Sequence, residues 1–132
     1  MTDYGELMAI AMRERIQESA APYLQPGEVI KEAFAAQSAS PYWSLLSWII
    51  IVAQNAFRAI VVTDRRIIVF QSSRMAFSNI KSVKRELPLR TQIGPVSGLW
   101  SKTTTLGEPL YIARRFYKDV NAADAAAGFP VS

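Results

Sequence analysis

The sequence predicts a mainly β, α+β fold built on an antiparallel sheet, and three observations carry that reading. Between Phe57 and Phe70, two runs rich in Val, Ile and Phe flank the single polar tetrad Thr63-Asp64-Arg65-Arg66, the pattern of a β-hairpin. Downstream, short apolar segments alternate with Pro and Gly up to about residue 116, as strands separated by turns do. Helical spacing occurs near the ends, at residues 4–21 and 122–127, in one uncharged run at 42–53, and as an alternative for Phe77, Ile80 and Val83.

Taken in order, Tyr4 to Ala21 reads as a helix, with Met8, Ala11, Met12 and Ile16 at helical spacing and acidic residues early. It is expected to be an ordinary packing helix. Pro22 and Gln25-Pro26-Gly27 end it. Glu28 to Gln37 follows as a first strand of imperfect alternation, bounded by Ser38-Ala39-Ser40-Pro41.

Tyr42 to Ala53 then runs twelve residues without a charge. As a helix it reaches about 18 Å, short of the roughly twenty apolar residues that a span requires. Extending it to Val62 gives the length but includes Gln54, Asn55 and Arg58. Tyr42, Leu45, Leu46, Ile49 and Val52 form a broad apolar face, with Trp43 and Trp48 suited to an interface. The run covers a sheet, lies in a membrane surface, spans, or extends the strand after it; periodicity leaves these open.

With Asp64 and Arg65 at its tip, the hairpin pairs Val62 with Ile67, Val61 with Ile68 and Ala59 with Phe70. One face carries Phe57, Ala59, Val61, Ile68 and Phe70. The other carries Ile60, Val62, Ile67 and Val69 beside Arg58 and Gln71. Both faces are apolar, so the second requires a helix, a partner or lipid. After a turn at Ser72-Ser73-Arg74, Met75 to Leu87 forms one or two strands with a bulge near Ser78-Asn79, although Phe77, Ile80 and Val83 also fit a helix. Short segments lie around Gln92-Ile93 and Leu99-Trp100, Leu106-Gly107-Glu108-Pro109 turns, and Leu110 to Phe116 forms a last strand. Asp119 or Asn121 caps a terminal helix at 122–127, which Gly128-Phe129-Pro130 stops.

The 132 residues suit one compact domain, with a helix at 1–25, a sheet domain at 26–132 and an apolar insertion at 41–56. Cysteine and histidine are both absent, which removes disulfides, thiolate zinc sites and the commonest general base and metal ligand. No phosphate loop, nucleophile elbow or paired carboxylate spacing occurs, so neither an enzyme nor a cofactor is expected. Charge is uneven: residues 1–56 balance at −3, 57–118 at +9 and the rest at −2, giving the net +4. The basic sheet region suggests an anionic partner, with Arg58, Lys81, Lys84, Arg85 and Arg90 as candidate anion-binding residues. Met1-Thr2-Asp3-Tyr4-Gly5-Glu6 lacks the basic and apolar regions of a secretory signal, so the cytoplasm is the expected compartment.

This order of elements resembles the bacterial pleckstrin-homology-like domains. Pro26-Gly27-Glu28 corresponds to the turn that opens their first strand, Thr63-Asp64-Arg65-Arg66 to a strand-joining turn, and Phe77, Ile80 and Val83 to the segment after it. The likeness covers about residues 26–127; residues 87–100 and 114–126 also look like a small-protein subgroup of that family. It implies an antiparallel barrel or sandwich of about seven strands, capped by a C-terminal helix and used for binding. The N-terminal helix, the short C-terminal helix and the apolar first connection depart from it. The basic phosphoinositide site that eukaryotic relatives hold in that connection has no counterpart here.

The expected function is therefore a non-enzymatic module peripheral to the inner membrane face, with Tyr42, Trp43, Leu45, Leu46, Trp48 and Ile49 entering lipid and nearby cations meeting anionic headgroups. The alternative is a homo- or hetero-oligomeric scaffold that buries the same run against a protein. Nucleic acid is disfavoured, since basicity is its one argument.

Overall fold

A computed structural model describes residues 4–38, 57–73 and 76–130. The elements are α1 (Tyr4–Ala20), a 3-10 turn (Ala21–Tyr23), β1 (Ile30–Gln37), β2 (Phe57–Thr63), β3 (Arg66–Ser73), β4 (Ala76–Pro88), β5 (Trp100–Thr103), β6 (Leu110–Ala113), a second 3-10 turn (Arg114–Phe116) and α2 (Tyr117–Ala126). All described pairings are antiparallel, in one sheet of order β4-β3-β2-β1-β6-β5. This is an α+β fold with six strands among the described residues. Of the short segments expected around Gln92-Ile93 and Leu99-Trp100, the first forms no strand and the second leads into β5 at Trp100.

The hairpin has the expected register, with Val62 opposite Ile67, Val61 opposite Ile68 and Ala59 opposite Phe70. Its two faces enter two cores. Ile60, Val62, Ile67 and Val69 pack with Phe34, Ile93, Leu106, Leu110, Ile112, Phe116 and Val120, so α2 and the β5–β6 arm close that side. Ala59, Val61, Ile68 and Phe70 pack with Ile16 and Ala20 of α1 and with Ala33 and Ile80. The cover of this face is thus the N-terminal helix, and both apolar faces of the hairpin are closed by the chain itself. Ser19 Oγ accepts the Ile80 N–H at 3.0 Å, and the Tyr23 ring meets Phe70 edge-on at 5.3 Å.

Bulges explain the imperfect alternation. Ile30 pairs with Thr63 and Glu32 with Val62, so Lys31 is an extra residue that lets Ile30 and Ala33 face the same core. In β4 the register slips at Lys84, at Lys81 and again between Ala76 and Ile80, a break that spans the expected bulge at Ser78-Asn79. The slip at Lys81 puts Ile80 and Val83 on the side of Ser72 and Phe70. A three-residue spacing that imitates a helix is here a bulged strand.

At the C-terminal end two expectations are corrected. The last strand stops at Ala113, because Arg114–Phe116 coils into a 3-10 turn that buries Phe116 beside Phe34, ring centroids 6.5 Å apart. The helix begins at Tyr117 rather than near 122, and neither Asp119 nor Asn121 caps it: the turn runs directly into α2, and Asp119 is engaged by Arg13 instead. The stop at Gly128 is as expected. Gly128 has φ +89°, its N–H donates to the Ala125 carbonyl and that of Phe129 to the Asp124 carbonyl, a Schellman closure.

Candidate functional site

Polar chemistry gathers at three buried ionic clusters and along the basic β4 margin. The first cluster ties the Pro-Gly-Glu turn to the hairpin tip. Glu28 accepts two bonds from the Arg66 guanidinium, both at 2.9 Å, one from Thr63 Oγ1 at 2.7 Å and one from the Gln25 N–H at 2.9 Å. Thr63 Oγ1 in turn accepts the N–H groups of Arg65 and Arg66 at 3.1 Å. Asp64 and Val29 exchange a reciprocal pair: Asp64 N–H to the Val29 carbonyl and Val29 N–H to Asp64 Oδ1, both at 3.0 Å. The Arg66 bonds, with help from Thr63 and Gln25, outweigh burial and hold the Glu28 carboxyl down at about 2. Its lone pairs are spent on its own chain, so this cluster is a fastening rather than a ligand site.

In the second cluster Glu108, just before β6, receives Arg58 from β2 and Arg85 from β4. Arg58 donates from Nε at 3.4 Å and from Nη2 at 3.3 Å, and its Nη1 donates to the Phe57 carbonyl at 3.1 Å. Arg85 pairs with the same carboxylate and donates to the Leu106 carbonyl at 3.1 Å. Burial would raise the Glu108 carboxyl, but the two guanidinium groups hold it below its ordinary value. Gly107 has φ +91°, and a Cβ there would stand 2.5 Å from the Arg85 Cδ, so the turn admits the arginine stem only as glycine.

The third cluster joins three elements. Arg13 of α1 pairs with Asp119 of α2, which is 1% exposed, and stands 3.7 Å from Glu32 of β1. Burial first, and then the adjacent Asp119 carboxyl, push the Glu32 carboxyl up to about 7, with Arg13 opposing. The residues lie far apart in sequence, so no spacing announces this carboxylate pair. The one available signal is a glutamate set within an apolar strand.

The predicted anion-binding residues therefore separate. Arg58 and Arg85 meet at Glu108 and are committed inward; Arg58 is 5% exposed. A guanidinium occupied by a carboxylate in that way is not offered to a headgroup. Lys81, Lys84 and Arg90 are exposed on and just beyond β4. Tyr42, Trp43, Leu45, Leu46, Trp48 and Ile49 lie outside the described residues. Among the described residues no cluster of three acidic side chains could hold a metal ion, and no helix is long and apolar enough to cross a membrane.

Comparison with protein-family models, curated proteins and solved structures finds no match to this chain. Function therefore has to be argued from the residues.

Proposed function

We propose that this chain is a non-enzymatic, pleckstrin-homology-like binding module that associates with an anionic membrane surface. The run 42–53 enters the lipid interface, while Lys81, Lys84 and Arg90 meet headgroups. One observation carries the reading: α1 covers one face of the hairpin and α2 with the β5–β6 arm covers the other. Neither face of that hairpin then calls for a twelve-residue uncharged run as its lid, and such a run has lipid or another protein as its natural cover. The likeness to pleckstrin-homology-like domains is supported by the strand order, in which β1 pairs with both β2 and the last strand, and by a terminal helix on the core. The exposed cations supply the electrostatic part, each adding about 1 kcal/mol near an anionic surface.

Sedimentation with vesicles containing anionic lipid tests this. The wild type is expected to pellet with them, and Trp43→Ser with Trp48→Ser to lose most of that binding. Lys81→Glu with Lys84→Glu is expected to weaken it. A defined oligomer in detergent-free buffer with no vesicle affinity would replace this reading with a protein scaffold.

A further inference from the structure

A cavity of about 130 Å³ opens between α1 and the β1–β6 seam; Met12, Ala36, Trp100, Ala113 and Phe116 are among its apolar lining residues, and Gln37 and Arg115 are its polar ones. Its walls come from separate parts of the chain: one helix, three strands and the 3-10 turn before α2. Ala36 and Ala113 keep the space by their small size. Trp100 and Phe116 contribute aromatic surface and Met12 an adaptable wall. An apolar cavity of about 150 Å³ accommodates one benzene-sized molecule, so this volume suits a single ring or a compact chain of similar bulk.

Arg115 is the charged residue of the lining. It is exposed, lines the cavity and forms no ion pair among the described residues. Its surroundings in the sequence are basic, with Arg114 beside it and Lys118 three positions on, both exposed, and the acidic Asp119 is held by Arg13. A largely apolar chamber with Gln37 and Arg115 in its lining, the arginine unpaired among the described residues, complements an apolar body carrying one carboxylate, which a guanidinium fork receives in bidentate fashion.

We propose that this cavity binds a small monocarboxylate with an aromatic or compact aliphatic body, its ring against Trp100, Phe116 and Met12 and its carboxylate on Arg115. Its described lining includes none of the residues proposed above to face lipid. Titration of the full chain with phenylacetate, followed by amide chemical shifts, tests the assignment. Saturable shifts are expected at residues around the cavity, with a Kd below about 1 mM. Arg115→Gln, a change at an exposed position, is expected to weaken phenylacetate about tenfold, the loss of one charge-assisted contact. Toluene binding should be unchanged in the same variant. The assignment is overturned by an absence of saturable shifts, by shifts remote from the cavity, by equal affinity in Arg115→Gln, or by phenethylamine binding as well as phenylacetate.

Discussion

Glu28 and Glu32 lie four residues apart and titrate in opposite directions, and each direction has a consequence that stability measurements can read. Arg66 holds Glu28 at about 2, against an ordinary 4.5. A depressed acid contributes stability that is present above its unfolded value and lost as pH falls through its folded one. Its side chain has no exposed surface, so Glu28→Gln should cost about 2–3 kcal/mol at pH 7 in denaturant unfolding. The gap between wild type and variant should close as pH drops from 4.5 through about 2. Glu32 is raised to about 7, chiefly by burial and next by Asp119. Here the fold holds a proton that the unfolded chain has released, so stability should decline as pH rises from 4.5 to about 7 and then level off. Glu32→Gln is expected to flatten that decline and to leave the protein no less stable at pH 8, read as Tm against pH. Of these residues, Thr63, Arg66 and Glu28 were legible as turn chemistry. The Glu32–Asp119 pair was not, because nothing local in a sequence reports two carboxylates that meet through the tertiary fold.

Hairpin register could be read from composition, since a period of two and one polar tetrad leave one pairing that puts apolar side chains together. Bulged strands were harder to read. An extra residue at Lys31, Lys81 or Lys84 shifts the alternation by one, and the outcome imitates either noise or a helix. Helix α1 was legible as a helix but not as the cover of the hairpin, because its exposed side also carries Leu7 and Ile10, which blurs the apolar stripe. Ile16 is the larger of the two fully buried side chains, with Ala20, through which it reaches the second core. Ile16→Ala should therefore cost about 2–5 kcal/mol, a cavity-forming loss that chemical denaturation can measure. An equivalent truncation of the exposed Ile10 should change stability by less than about 0.5 kcal/mol.

For the whole molecule, composition excluded more than it identified. The lack of histidine and cysteine removed the usual catalytic and metal chemistry, and the +9 of residues 57–118 pointed to an anionic partner. Charge counting treats every arginine alike, however, and the fold does not: Arg58 and Arg85 serve Glu108, while Lys81, Lys84 and Arg90 face outward. Which cations are available is a tertiary property. The cavity at Arg115 was hidden for the same reason, since its lining is drawn from residues 12 to 116.

The bond between Arg13 and Asp119 joins residues 106 apart in the chain. During synthesis, α1 and β1 leave the ribosome long before their partner exists. Until Asp119 has been made, Arg13 lacks its most buried counter-charge, and the inner core lacks Phe116 and Val120. A nascent chain cut short in β6 would hold the hairpin and its N-terminal cover but leave the opposite core open, which is the condition in which a half-made sheet attracts chaperones or other strands.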